Sequence, residues 1–313
     1  MATRGPSVAS LSHLCDLPLY KKETPYEIWA ENIDPEITKT NVELEIVHDC
    51  VLHDVRLPST DQPSLETHGF EWAHRPFPTE CGIKTANDVG FSDIVQQESL
   101  IKYIESTFTF IKEKYGCTKV MCWDWRVRRS KSTHPRTKPN IYSLKGKEGN
   151  ELRATQINSS HLIHSDGSPT FMKKVLASVT AGDDKKWNDT SKYRIRGLTV
   201  WCPIVDVVES DPLVLCDIRT VEDSDWDVVE KVLDHSVEES MYLKRRKRHQ
   251  WYWMSDQTKN ESIVMNIWDS IHPDSRRYSA PHCSMVLREG DIRPNARPRE
   301  SIELRLLAWN ELE

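Results

Sequence analysis

Strand-forming segments crowd into the second half of the chain, and no other feature constrains the fold as much. Between residues 193 and 310 come "YRIRGLTVWCPIV", "DPLVLCDIRTV", "HQWYWMSD", "ESIVMNIWDS" and "RESIELRLLAWN", each short and bounded by turn formers such as Pro203 or "QTKN". Strands at such intervals predict a sandwich or a double-sheet barrel. Upstream, "KVMCWDWRVRRS" (119–130) reads as a further strand with Met121, Trp123 and Trp125 on one face. Residues 41–57 alternate well enough for one or two more.

Helices flank these strands. Residues 91–116 hold the clearest one, with Ser92 as its N-cap and Gly116 placed to end it. "TFMKKVLASV" (170–179) predicts a short second helix, and the Lys-, Pro- and Gly-rich 131–157 a long exposed loop. The expected organisation is an irregular N-terminal segment, 1–90, packing on a barrel domain, 91–313, as one continuous domain. Of the 313 residues 38% are hydrophobic and 29% charged, enough apolar material for a sizeable core. The net charge of −6 provides no positive field to gather nucleic acid. No apolar run approaches the ~18 residues of a spanning helix, and the N-terminus lacks a signal-peptide stretch. The eight cysteines have no zinc-binding spacing, so they read as reduced thiols in a cytoplasmic protein.

"NSSHLIHSDG" (158–167) carries the chemistry. His164 and Asp166 are i and i+2, so in an extended segment both point to one side and reach one ion. Two histidines and a carboxylate on one face of an octahedral metal leave three open positions, the arrangement of non-haem Fe(II) oxygenases. The third ligand must come from downstream, where His235, His249, His272 and His282 are available; His282, in "YSAPHCSMVL", is best placed. On the last strand Arg299 and Ser301 again share a face, and a guanidinium fork beside a hydroxyl suits the distal carboxylate of 2-oxoglutarate. His161 points away from His164, and the basic run "KRRKR" (244–248) reads as a solvated hairpin loop rather than a localisation patch.

Several blocks resemble the gibberellin desaturase/AsaB-like (CmcJ-like) family of Fe(II)/2-oxoglutarate oxygenases. They are "HSDGSP" (164–169), "LTVWCPIVDVVESDPLVLCDIRTVEDSD" (198–225), "HQWYWMSDQ" (249–257), "APHCSM" (280–285) and "RPRESIELRLLAW" (297–309), in the family's order. The terminal block is the most specific of them. The resemblance implies a mainly β fold with flanking helices, a double-stranded β-helix or jelly-roll barrel. It implies His164, Asp166 and His282 as iron ligands and catalytic centre, and Arg299 with Ser301 as the 2-oxoglutarate holder, Arg305 being the alternative. Fe(II) is the implied cofactor, with 2-oxoglutarate and O2 as cosubstrates. A small hydrophobic secondary metabolite, terpenoid, meroterpenoid or polyketide, would be hydroxylated, desaturated or rearranged; Trp201, Trp251, Trp253 and Trp268 are candidate pocket walls.

The chain departs from the family pattern at Thr199, at Cys202 where an arginine is usual, and at Met285 where an aromatic is usual. The Cys202 departure motivates an alternative, a catalytically weakened paralogue serving as partner of an active subunit. A homodimer or such a heterodimer is therefore one expectation. A zinc hydrolase on the same three ligands and a metal-free binding protein are the other readings.

Overall fold

The computed structural model describes residues 8–30, 33–90, 93–130, 156–157, 160–285, 287, 291 and 295–312. Among them fifteen strands form two sheets, a large one of nine strands and a small one of six. In spatial order the large sheet holds β1 (Val8–Leu14), β3 (Leu44–Asp54), β12 (Trp251–Trp253), β9 (Leu213–Cys216) and β14 (His282–Ser284), followed by β7 (His164–Ser165), β11 (Val237–Leu243), β10 (Trp226–Val232) and β2 (Tyr26–Ile28). The small sheet runs β4 (Phe70–His74), β13 (Glu261–Asp269), β8 (Tyr193–Pro203), β15 (Glu300–Glu311), β5 (Lys119–Arg129) and β6 (Gln156–Ile157). The two sheets face each other as a jelly-roll barrel.

Alternation along each strand divides the apolar residues between separate cores. On β8 and β15 the side chains of Leu198, Val200, Cys202, Ile302 and Leu304 face away from the large sheet, into a core completed by helix α2 (Ile94–Tyr115). The helix contributes Leu100, Tyr103 and Ile111, a spacing of three to eight residues that keeps them on one stripe. Asp93 caps it, its Oδ1 accepting from the Gln96 amide at 2.8 Å, and Gly116 ends it in the left-handed conformation. Ser92, the expected cap, lies outside the described residues, as does nearly all of the 131–157 loop. Helix α3 (Pro169–Val179) covers an inward-facing cluster of Ile195, Ile267, Leu307 and Trp309 with Met172 and Leu176.

The first 90 residues, expected to be irregular apart from strands within 41–57, supply strands to both sheets: β1 and β3 lie at one edge of the large sheet, β2 at its other edge, and β4 at an edge of the small one. Single bridges from Ser12 to Leu162 and from Leu14 to Lys244 tie β1 back beside β7 and β11. The large sheet thereby curls onto itself around a second core, built from Leu11, Leu52, Val214, Trp226, Trp251 and Trp253 among others. Their burial keeps two of the four candidate pocket tryptophans, Trp251 and Trp253, on the far side of the sheet. Trp268 belongs to the cluster under α3, and only Trp201 lines the space between the sheets near the candidate ligands.

Two further expectations meet the structure here. The strand read over 211–221 is interrupted after Cys216, because Asp217 turns the chain, its Oδ1 accepting from the Arg219 amide at 2.9 Å. The basic run is not simply solvated: the guanidinium of Arg246 reaches the buried Asp225 at 3.1 Å and Arg248 bonds the same carboxylate, with His249 at 3.3 Å. Among the described residues no helix is long and apolar enough to cross a membrane.

Candidate metal centre

β7 and β14 are two and three residues long, yet they bring the candidate ligands together. His164 and His282 stand directly opposite each other across this antiparallel pair, and their rings lie 4.5 Å apart. Each ring places Nδ1 against the carbonyl two residues back, Leu162 at 2.8 Å for His164 and Ala280 at 3.1 Å for His282. A carbonyl only accepts, so Nδ1 carries the proton and Nε2 presents its lone pair to the interior. Asp166 completes the set. Its oxygens lie 3.8 Å from His164 Nε2 and 3.9 Å from His282 Nε2, and one ligand atom from each of the three falls within 4.8 Å of the others. All three side chains are buried.

Electrostatics keep His164 and Asp166 in ligand form. Burial, with His282 beside it, pushes His164 down to about 3, so its imidazole is neutral. Burial alone would raise Asp166, but Arg305, His282, His164 and a hydrogen bond from Thr199 hold it well below the ordinary carboxylate range. The Thr199 hydroxyl donates to Asp166 Oδ2 at 2.8 Å and Arg305 Nη2 to Oδ1 at 2.5 Å. Arg305 is itself held by Asp124 at 2.9 Å and Glu303 at 3.0 Å. Committed to three carboxylates, Arg305 is spent on Asp166, which argues against it as the holder of a second anion.

Arg299 occupies a different place. It is fully buried, lies 5.4 Å from the centre of the Trp201 ring, and donates to Ser284 Oγ at 2.7 Å and to the Asp211 carbonyl. Burial pushes it down to about 10, opposed by Asp211. It opens on a narrow pocket shared with His164, His282, Leu213 and Met265. Beside it, Ser301 Oγ and Trp201 Nε1 are buried with no hydrogen-bond partner among the described residues. Buried polar atoms are rarely left unmatched, so a cationic fork and two orphaned donors beside a His-Asp-His set fit a small carboxylate ligand chelating the metal.

The remaining histidines stand apart. His161 hydrogen-bonds the Ser284 carbonyl at 2.9 Å, His249 serves Asp225, and His272 stacks on Tyr278 with centroids 4.0 Å apart. Of the three departures from the family pattern, Cys202 faces α2 and Met285 packs in the second core. Thr199 alone reaches the centre. Sequence reasoning named Thr199 only as a departure and missed its bond to Asp166; its i, i+2 relation to Trp201 was the available signal.

Fold and site define a class: jelly-roll oxygenases with a mononuclear His-Asp-His metal centre, which use Fe(II), 2-oxoglutarate and O2. The family described as oxidoreductase/YMDC permease-like domain matches residues 17–309, and the chain belongs to it. It is 26% identical to the Fe(II)/2-oxoglutarate-dependent dioxygenase nvfI of Aspergillus novofumigatus, over 84% of this chain and 83% of the relative. It is 24% identical to the alpha-ketoglutarate-dependent dioxygenase phiK of a fungal species, over 71% and 74%. A shorter match, 30% identical over 36% of this chain and 33% of the relative, is to a gibberellin cluster GA4 desaturase of Gibberella fujikuroi. A solved structure of the iron and alpha-ketoglutarate-dependent endoperoxidase NvfI superposes with a TM-score of 0.78 at 21% identity, covering all of both chains. That likeness is one of fold.

Proposed function

We propose that this chain is an Fe(II)/2-oxoglutarate-dependent dioxygenase that hydroxylates, desaturates or rearranges a small secondary metabolite of terpenoid, meroterpenoid or polyketide type. One observation carries the reading: two imidazoles and one carboxylate, buried together, converge within 4.8 Å beside the pocket. When bound, iron and 2-oxoglutarate supply O2-dependent oxidation of an unactivated C–H bond, with release of succinate and CO2. His164, Asp166 and His282 hold the metal. Arg299 takes the distal carboxylate of the cosubstrate through its fork, and Ser301 donates to the same group. Thr199 and Arg305 orient Asp166, and the barrel wall excludes water from the reacting centre. Nothing favours the weakened-paralogue reading, since Cys202 faces away from the centre. A cytoplasmic setting is supported by eight free cysteines, and self-association is tested by light scattering.

The test is the weak visible band of an Fe(II)–2-oxoglutarate chelate, recorded anaerobically. Wild type is expected to show it, His164→Ala to lose it, and Arg299→Gln to need at least about ten-fold more 2-oxoglutarate to reach it. A folded wild-type protein without the band would sink the proposal.

A further inference from the structure

Beyond the ligands, the barrel interior next to the centre is charged rather than aromatic. Lys231 on β10 stands directly across from Glu238 on β11, and the same face of this hairpin continues to Tyr242, which stands opposite His164. The Lys231 ammonium lies 5.6 Å from the centre of the Tyr242 ring, near enough to the centre for its charge to act on His164 and Asp166. Arg126, on β5 of the opposing sheet, acts on Lys231 as a like charge, and Arg305 does the same.

Apart from Glu238, the acids around these cations are already committed. Asp124 accepts from Arg126 at 3.0 Å and from Arg305, Glu303 is shared by Arg128 and Arg305, and Glu27 accepts from the Tyr242 hydroxyl at 2.7 Å. Among the described residues no carboxylate lies within 4.0 Å of the Lys231 ammonium, not even Glu238 directly across the hairpin. Lys231 is half-buried. Burial, opposed by Glu27 and reinforced by Arg126 and Arg305, pushes it down to about 8. Glu238 is pushed up by burial. Two like charges close enough to repel, with every nearby acid but Glu238 bound elsewhere, are a ready seat for an anion; an uncharged apolar group would leave their repulsion unrelieved.

We propose that Lys231, seconded by Arg126, anchors the substrate, and that the substrate is an organic acid: an apolar skeleton bearing a carboxylate directed to Lys231. This rests on the function proposed above, which makes the neighbouring His-Asp-His set the reacting centre. Lys231 is thus a specificity-determining residue, and Glu238 the negative charge the incoming acid must sit beside.

The test pairs acids with their methyl esters. Cinnamic, 1-naphthoic and abietic acids and their esters are titrated calorimetrically into full-length protein loaded with Zn(II) and N-oxalylglycine, a redox-inert stand-in for the cosubstrate. At least one acid is expected to bind ten-fold or more tighter than its ester. Lys231→Met should reduce that preference to two-fold or less, and Glu238→Gln should tighten the acids. Esters binding as well as acids, a preference that survives Lys231→Met, or no acid binding at all would each overturn the proposal. The Fe(II)–2-oxoglutarate band, recorded on wild type and Lys231→Met, separates the two readings. Its presence in both with no acid preference sinks only the substrate inference, whereas its absence from wild type sinks the functional one.

Discussion

Asp166 is the residue on which most of the interior charge converges, and it is oriented from both sides. Thr199 holds one oxygen and Arg305 the other, so the carboxylate is ionised and aimed before any metal arrives. Partners of this kind typically contribute ~10–100-fold to metal affinity. We expect Arg305→Met to weaken Mn(II) binding by about that factor and Thr199→Val by about ten-fold, read by electron paramagnetic resonance titration with Tm as a folding control. Unchanged affinity in both would show the pair to be structural only. At this scale the sequence was informative about residues whose chemistry is rare and blind to those whose role depends on a partner. The two histidines and the aspartate could be picked from H-x-D and a distant histidine. The reassignment of Arg305 could not, because Arg299, Ser301 and Arg305 share one strand face and only their opposing neighbours distinguish them.

Among the elements, legibility tracked length. β5, β8, β13, β15 and α2 carry nine or more residues each, enough for alternation or helical spacing to stand out. β7 and β14, which carry the two candidate histidines, are too short to carry any period and exist only because their neighbours pair with them. The helix cap is a simple check: Asp93→Ala should lower stability by about 1 kcal/mol in urea denaturation without touching the metal centre. Gly69 is a sharper one. It joins α1 (Leu65–His68) to β4 with φ at +80°, and an added Cβ would lie 2.6 Å from Ile218. Its carbonyl accepts from the Asn266 amide, the Asn266 carbonyl accepts from Ala280, and the Ala280 carbonyl accepts from His282 Nδ1. Gly69→Ala should therefore cost at least about 1–3 kcal/mol of stability and also loosen His282, seen as weaker Mn(II) binding. A stability loss with intact metal affinity would break that connection.

For the whole molecule, pH acts through the second core. Burial, with His249 nearby, pushes His13 down to about 4 from the ordinary 6.5. Between those values the unfolded chain binds the extra proton and the folded chain does not. Stability contributed by neutral His13 is therefore complete above about pH 6.5 and lost as pH falls toward 4, by on the order of 3 kcal/mol. Urea titrations at pH 7, 5.5 and 4.5 should show this slope in wild type and a flatter one in His13→Asn. That second core was the largest feature the sequence did not reveal, because its closing bridges, Ser12 to Leu162 and Leu14 to Lys244, join segments far apart in the chain.

The same closure has a consequence in time. The histidines stand on a wall whose rear face is packed by β1, from the beginning of the chain, while β15, from its end, forms the middle of the opposite sheet and brings Arg305 to Asp166. A nascent chain displays His164 and Asp166 long before it possesses His282 or Arg305. Until β15 has been made, those early ligands have neither a shaped pocket nor a counter-charge. The three ligands and the counter-charge of Asp166 therefore come together only once β15 has paired into the small sheet.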